Sequence, residues 1–195
     1  GADLRLEMVD LSTALETTLE PLQWKARNRE IDLKWDGPAG LKVFANDDAV
    51  SEVVAILVDN ALWTNPAGTN IEVSARPRGP SYVEVIVSDD GTGIPDGALA
   101  MLMQSTLPTD TGGDRDAGDA SFGVQLCRTL IERMGGMFYT QSRPQEGTRP
   151  RFTLATGPRP PSTLFGRVAR DLGFLTDEQV SDVYRDHDSQ QRGRK

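Results

Sequence analysis

Apolar residues recur along this chain with two different periods, which together predict a domain of mixed helices and strands. Spacings of three and four residues indicate amphipathic helices, whereas alternation or short apolar runs indicate strands. The predicted helices cover residues 8–29, 49–65 and 122–134, and the predicted strands cover residues 31–35, 41–45, 70–75, 83–87, 137–141 and 151–155. The order is therefore helix, two strands, helix, two strands, helix and two strands.

Local residue types add detail to the first half of this pattern. Asp10 or Ser12 is placed to cap the first helix, and Pro21 is expected to kink that helix or to begin a second one. A turn at residues 37–40 separates the first two strands and predicts that they pair as a hairpin. Asn46, followed by two aspartates, predicts the cap of the second helix.

The remaining stretches predict the borders of the domain. A short helix is expected from Pro95 to Met103, and residues 104–120 lack apolar periodicity, which is typical of a lid or a linker. After a proline-rich spacer, apolar residues predict two further helices that either pack on the domain or link it to another. We therefore expect a tag or linker remnant at 1–7, a domain at 8–156, a helical extension at 157–187 and a disordered tail at 188–195.

Composition excludes several classes of function. The formal net charge of −8 argues against a nucleic-acid binder, and no apolar run is long enough to span a membrane. The single cysteine, Cys127, lies in an apolar helical run where packing explains it, and it fits a reducing, cytoplasmic setting. The single histidine, His187, lies in a polar tail, so metal clusters and catalysis based on histidine are not expected.

Candidate chemistry begins at the end of the strand at 83–87. Asp89 ends this strand, and Gly91 and Gly93 follow one residue apart. Such glycines make a tight turn or let the backbone approach a ligand, and a carboxylate there accepts a hydrogen bond or positions a metal-bound water. Asp59 and Asn60 interrupt an otherwise apolar helix, as a solvated face or as part of a site.

Four motifs at these places resemble the signatures of one ATP-binding family. They are the asparagine motif at Leu57–Ala61, the first glycine motif at Asp89–Gly93, the end of a second glycine motif at Phe122–Leu126, and the stretch from Glu146 to Thr148. Together they resemble the GHKL family of histidine kinases, gyrase B, Hsp90 and MutL, over residues 8–156. The resemblance implies the α+β Bergerat fold, a two-layer sandwich whose mixed, mainly antiparallel sheet carries helices on one face.

The resemblance also assigns roles to individual residues. Asn60 would supply an oxygen to the Mg²⁺ ion that bridges the phosphates of ATP, and the Asp89 carboxylate would accept from the adenine amino group. The helix after the second glycine motif would point N–H groups at phosphate. The residues assigned to ATP are Asn60, Asp89, Gly91, Gly93, Ile94, Gly123 and Thr148, with Asn60 as the metal ligand.

Within the family, the chain looks most like the catalytic domain of a bacterial sensor histidine kinase. Such a domain presents the γ-phosphate of Mg-ATP to a histidine on a separate dimerisation domain, and a response regulator receives the phosphoryl group next in the phosphorelay. The single histidine, His187, lies in too polar a setting and too far along the chain to be the acceptor, so the acceptor would lie on another domain. The implied setting is cytoplasmic, within a longer sensor for which attachment to a membrane stays an open alternative.

Several positions depart from the family pattern, and two other functions stay open. Ile56 stands where the hydrolytic relatives have a glutamate base, and Trp63 stands where kinases have a basic residue. Asp119 and Ser121 replace a glycine pair near the phosphates. The alternatives are a degenerate, non-catalytic interaction module of the same fold, and a serine kinase of the anti-sigma-factor type.

Overall fold

The structure is a computed structural model that describes residues 4–95, 97, 99 and 115–158, with side chains described from residue 122 onwards in the last range. Its strands are β1 (Glu7–Asp10), β2 (Asp32–Asp36), β3 (Lys42–Ala45), β4 (Asn70–Arg78), β5 (Tyr82–Asp89), β6 (Phe138–Arg143) and β7 (Gly147–Ala155). Its long helices are α1 (Leu11–Asn28), α2 (Asp47–Thr64) and α3 (Arg115–Arg133). Within this part of the chain, no helix is both long and apolar enough to cross a lipid bilayer.

Five strands form the main sheet in the order β2-β4-β5-β7-β6. β2 runs parallel to β4, and the other neighbours are antiparallel. β5 is therefore the central strand, and it is buried along most of its length. The mixed, mainly antiparallel sheet that the resemblance implies is confirmed.

The predicted hairpin between the first two strands is wrong. β2 pairs with β4, whereas β3 pairs with β1 in a separate two-stranded sheet, from Glu7 opposite Ala45 to Asp10 opposite Lys42. The sequence pattern placed residues 8–10 inside the first helix and so hid the strand that competes for β3. Leu4 and Leu6, which lie before the predicted domain boundary at residue 8, pack partly buried against the core.

The helices cover one face of the main sheet and form the core with it. Because side chains alternate along a strand, Val83, Val85 and Val87 of β5 point to the same face. These valines belong to one buried cluster with residues of all three helices, including Leu15 of α1, Leu57 of α2 and Ile131 of α3. The two-layer α+β architecture is thus confirmed.

Helix α1 begins at the predicted cap and runs unbroken through its proline. The Asp10 carboxylate accepts from the Thr13 N–H at 3.1 Å, which identifies Asp10 as the N-cap. Ser12 instead donates from its hydroxyl to the Pro38 carbonyl at 2.6 Å. The helix extends from Leu11 to Asn28 with Pro21 inside it, so no second helix begins there.

Helix α3 begins earlier than the apolar pattern predicts. It starts at Arg115, so the last six residues of the predicted lid at 104–120 are helical. Helical hydrogen bonds are local and require no apolar stripe, and for this reason periodicity did not reveal the first two turns. The rest of that stretch and the extension from residue 159 lie outside the described residues. Of the predicted short helix at 95–103, Pro95, Gly97 and Leu99 are described, and Gly97 and Leu99 are helical.

The face of the sheet opposite the helices carries a buried carboxylate. Glu84 of β5 is fully buried, and its carboxylate accepts hydrogen bonds from the Tyr139 hydroxyl and from the Arg76 guanidinium at 2.9 Å. Burial alone would raise the pKa of Glu84, but the bonds from Tyr139 and Arg76 outweigh it and hold that pKa below its ordinary value. Burial and the neighbouring Glu84 raise the pKa of Tyr139 to about 12.

Replacing Tyr139 by Phe is expected to make the domain more sensitive to acid. The lowered pKa of Glu84 means that its carboxylate stabilises the fold above its unfolded pKa, and that this contribution is lost as the pH falls through its folded pKa. Tyr139→Phe removes one of the bonds that lower this pKa. We expect a loss of about 1.5–3 kcal/mol at neutral pH and an acid transition that begins at higher pH, measured by urea unfolding between pH 4 and 7.

Arg143→Ala is the control for this prediction. Arg143 lies on the same strand, but its ion pair with Glu146 is exposed at 3.4 Å, so we expect a change of less than about 1 kcal/mol. An acid transition of Tyr139→Phe that coincides with that of the wild-type protein would contradict the assigned role of Tyr139.

Candidate functional site

Asp89 lies at the end of the central strand, where its carboxylate is held by two backbone donors. Asp89 is buried, with 6% of its surface exposed. One carboxylate oxygen, Oδ1, accepts from the Gly91 N–H at 3.1 Å and from the Thr148 N–H at 3.2 Å. Burial raises the pKa of Asp89 above its ordinary value, and the bonds from Gly91 and Thr148 oppose that rise. The result is a buried acceptor with a fixed orientation.

Asn65 completes this end of the site, although the sequence pattern gave it no functional role. It follows α2 as its C-cap, is buried, and donates from Nδ2 to the Ala61 carbonyl at 3.0 Å. A hydrogen bond from the Asn65 side chain also acts to lower the pKa of Asp89. A buried amide at the end of an apolar helix is the signal that could have identified this residue.

A second polar group, centred on Ser142 of β6, lies next to Asp89. The Ser142 hydroxyl accepts from the Ile94 N–H at 2.7 Å and lies 2.9 Å from the Thr148 hydroxyl. It also lies within hydrogen-bond distance of the Gly147 carbonyl, at 3.1 Å. Ile94 and Thr148 are therefore brought to the same place as Asp89. Ser142 was missed because an alternating strand such as β6 places many hydroxyls without any function.

The glycines of this region permit close backbone contacts. A Cβ atom at Gly91 would lie 1.7 Å from the Asn65 side-chain oxygen, and one at Gly93 would lie 1.9 Å from the Arg143 carbonyl oxygen. Gly93 also has a φ of +67°, in the left-handed region that favours glycine. Gly91 and Gly93 are thus required by contacts within the protein, in addition to any role against a ligand.

The other end of the site is formed where α2 and α3 approach each other. Asn60 is half-buried on α2. A Cβ atom at Gly123 of α3 would lie 3.7 Å from the Asn60 side-chain nitrogen and 3.0 Å from a methyl carbon of Ile56. Asn60 and Gly123, which the sequence analysis assigned to the same ligand, are therefore neighbours.

The expectation that N–H groups near Gly123 point at phosphate is wrong for this helix. Gly123 lies in the third turn of α3, because the helix begins at Arg115. Only the first turn of a helix leaves its N–H groups without partners inside the helix. Gly123 instead allows close packing against α2.

A salt bridge and a cation–π contact connect the outer side of α2 to α1 and to the residue that ends α1. Asp59 pairs with Lys25 at 3.0 Å, so it belongs to a surface contact and not to the site. Trp63 is 76% exposed, and the Arg29 guanidinium lies 5.2 Å from the centroid of its ring. The helical turn after Asn60 thus has a positive charge beside it, although the residue at position 63 is an indole.

Comparison with known proteins identifies the family. Residues 45–158 match the family described as "Histidine kinase-, DNA gyrase B-, and HSP90-like ATPase". The chain belongs to this family. The matched range contains Asn60, Asp89, Gly91, Gly93, Ile94, Gly123 and Thr148, which are all the residues assigned from the sequence.

Sequence relatives of the chain within this ATPase family are described as sensory kinases. It is 31% identical over 140 residues to the adaptive-response sensory kinase SasA of Synechocystis, covering 71% of this chain and 36% of that protein. It is 27% identical over 150 residues to the sensor-like histidine kinase SenX3 of Mycolicibacterium smegmatis, covering 77% of this chain and 38% of that protein. The chain therefore spans less than half the length of these relatives.

The fold is that of histidine kinase catalytic domains. The catalytic domain of the histidine kinase ThkA superposes with a TM-score of 0.65 at 21% identity, over 78% of this chain and 96% of that domain. Full-length ShkA in complex with AMPPNP superposes with a TM-score of 0.67, also at 21% identity, over 83% of this chain and 34% of that protein. The sequence relatives named above are kinases and favour neither of the two alternative functions weighed from the sequence.

The residues present fit an adenine nucleotide, and they fit a metal ion only together with that nucleotide. The buried Asp89 carboxylate is an acceptor with fixed geometry, which suits an exocyclic amino group. Among the described residues, no group of three or more His, Cys, Asp or Glu side chains is positioned to hold a metal ion. A Mg²⁺ ion near Asn60 would thus take most of its oxygen ligands from phosphate and water, as this ion usually does.

Proposed function

We propose that this chain is the ATP-binding catalytic domain of a sensor histidine kinase, which presents the γ-phosphate of Mg-ATP to a histidine on a separate domain. The buried, doubly hydrogen-bonded carboxylate of Asp89 is the observation that carries the proposal. Mg-ATP supplies the transferable phosphoryl group and the charge of the metal ion. The residues of this chain bind and orient it.

At the adenine end, recognition depends on one oriented hydrogen-bond acceptor, the Asp89 carboxylate. The N–H groups of Gly91 and Thr148 hold Oδ1 of Asp89, so the plane of the carboxylate is fixed before the ligand arrives. A fixed carboxylate accepts from the adenine amino group, whereas the carbonyl of guanine at the same position would face it as a second acceptor. The site is thus expected to prefer adenine over guanine.

In the described part of the phosphate end, position 56 beside Asn60 carries no group that could activate water. Asn60 offers an amide oxygen to a hard cation, and its neighbour across the helix contact, Ile56, is apolar. Without a carboxylate at position 56, hydrolysis of ATP has no general base at this place. This arrangement favours transfer to a nucleophile that another domain supplies, which is consistent with the share of its relatives that the chain spans.

The partners follow from this role. A domain with a phosphoacceptor histidine would dock at the phosphate end, and a response regulator would receive the phosphoryl group from that histidine. We infer a cytoplasmic position within a longer sensor, where ATP is available.

Calorimetric titration with ATP, in the presence and absence of Mg²⁺, tests the proposal. We expect binding in both conditions, with a higher affinity when Mg²⁺ is present. A folded sample that shows no binding at about millimolar nucleotide, which corresponds to about −4 kcal/mol, would overturn the proposal and favour a non-catalytic module.

Asn60→Ala tests the phosphate end of the site independently of the adenine end. It removes the proposed metal ligand and leaves Asp89 untouched, so the gain in ATP affinity from Mg²⁺ should fall by about tenfold while adenosine binds as before. Thr64→Ala is the matched control, because Thr64 lies one turn further along α2 and its hydroxyl bonds only the Asn60 backbone carbonyl. An undiminished Mg²⁺ effect in Asn60→Ala would contradict the assignment of Asn60.

A further inference from the structure

The face of the main sheet that lies opposite the helices is buried at its centre. Residues paired directly across antiparallel strands point to the same face, so Tyr82 shares this face with Arg78 and Ala155. Tyr82 is 0% exposed and Ala155 is buried as well. In the described part of the chain, the apolar cluster on this face consists of Tyr82 and Ala155 with Met137 at its edge, separate from the core beneath the helices. The complete burial of Tyr82 requires another part of the protein to lie over it, in addition to Ala155 and Met137.

Arg151 on the same face indicates the chemistry of that cover. It lies opposite Ile86 of β5, and its Nε is buried and has no hydrogen-bond partner among the described residues. A buried donor without a partner is costly, so the segment that covers this face is expected to carry an acceptor. Arg76 and Arg78 lie nearby, and the buried Glu84 is the carboxylate that they share. The face therefore has excess positive charge around an apolar centre.

The described chain leaves the sheet beside this apolar centre. The Thr156 N–H donates to the Ser81 carbonyl at 3.0 Å, directly after the pair formed by Tyr82 and Ala155. Each further residue extends the chain by at most about 3.3–3.6 Å. The residues that follow Pro158 can therefore reach Tyr82 without a long connection.

The segment after Pro158 has both features that this face calls for, an apolar stripe and acidic residues. Residues 162–173 carry apolar residues at helical spacing, namely Leu164, Phe165, Val168 and Leu172. The stretch after them, up to residue 185, carries three acidic residues, Asp177, Glu178 and Asp182. The first part offers an apolar stripe to Tyr82, and the second offers carboxylates to the arginines.

We propose that residues 162–185 of this chain fold back and dock on the outer face of the main sheet, with the apolar stripe on Tyr82 and the acidic stretch towards Arg76, Arg78 and Arg151. The extension is then a part of the folded domain and not a tether to another one. This docking does not depend on nucleotide binding, because the outer face lies across the sheet from Asp89 and Asn60.

Hydrogen exchange of the full chain, followed by mass spectrometry, tests the docking. In the wild-type protein, amides of 162–185 are expected to exchange at least about tenfold more slowly than those of an unstructured chain. Tyr82→Ala should abolish this protection while the amides of α2 keep theirs. Trp24→Ala is the matched control, because Trp24 is an aromatic residue 69% exposed on α1, and it should leave 162–185 protected.

A reciprocal variant keeps the sheet intact. Phe165→Ser lies in the extension, and it is expected to expose Tyr82, so that nitration of Tyr82 by tetranitromethane becomes at least about tenfold faster than in the wild-type protein. The proposal is overturned if 162–185 exchange at the unstructured rate in the wild-type chain, or if their protection survives Tyr82→Ala. Protection that disappears on dilution would also overturn it, since the occupant would then be a second copy of the chain.

Discussion

Asp89→Asn is expected to weaken ATP binding by about 10- to 100-fold, which corresponds to the loss of a hydrogen bond to a charged group, about 1.5–3 kcal/mol. Asparagine has one oxygen where aspartate has two. That oxygen stays on the N–H groups of Gly91 and Thr148, which both donate to the same atom of Asp89. The amide NH₂ then takes the place of the second carboxylate oxygen and meets the adenine amino group as one donor against another.

The loss of affinity in this variant should not come from unfolding. Burial raises the pKa of Asp89, so between its unfolded and folded pKa values the folded state binds more protons, and stability falls as the pH rises. Asp89→Asn removes the buried charge, and with it this loss of stability at neutral pH. The thermal midpoint of the variant should therefore equal or exceed that of the wild-type protein. In the wild-type protein, ATP affinity should fall on acidification at a higher pH than an ordinary aspartate would give.

Asp90→Asn is the matched control, measured by the same calorimetric titration. Asp90 is the adjacent carboxylate, but it accepts from the backbone and side chain of Asn70 at 2.7 Å, away from the Gly91 and Thr148 donors. Its replacement should leave ATP affinity within about twofold of the wild-type value. Equal affinities of Asp89→Asn and the wild-type protein would mean that adenine is recognised elsewhere.

Gly147→Ala is expected to destabilise this domain by about 3–4 kcal/mol. Gly147 has a φ of +80°, and a Cβ atom there would lie 1.9 Å from the Asp89 carbonyl oxygen. The left-handed backbone alone costs a non-glycine residue roughly 1–2 kcal/mol. The backbone overlap adds to that cost, because β7 must move away from the end of β5, and urea unfolding measures the total.

Gly40→Ala isolates the two contributions. Gly40 has a similar φ of +72°, but nothing lies within 4 Å of the position of its Cβ atom. Gly40→Ala should therefore lower the free energy of unfolding only by the cost of a left-handed backbone, roughly 1–2 kcal/mol. If the two variants lose the same stability, the close contact between Gly147 and Asp89 contributes nothing.

The sequence predicts this site best where the signal is local. The apolar run of β5 ends in Asp89 and two glycines, and the family signature at the same place names the acceptor directly. Asn60 and Gly123 were likewise assigned from motifs, and the close approach of α2 and α3 brings them together. The structure makes these residues neighbours, and their binding of ATP stays a prediction.

Prediction fails where distant segments compete. The partner of β3 is β1 and the partner of β2 is β4, and no property of the turn at residues 37–40 reveals this choice. Asn65 and Ser142 gain their roles only through contacts with β5 and with the strand pair β6 and β7. Such roles depend on tertiary contacts, which residue types and spacing do not encode one segment at a time.

Helix α2 joins the two ends of the candidate site in one rigid element. Asn60 lies beside α3, and Asn65, five residues later, contacts the turn after Asp89. At a rise of about 1.5 Å per residue, the two asparagines lie about 7–8 Å apart along the helix axis, and this separation cannot be adjusted without breaking the helix. Under the proposed roles of Asp89 and Asn60, α2 therefore fixes how far a bound base lies from the first anionic groups of its ligand, so ligands with a different spacing are expected to fit poorly.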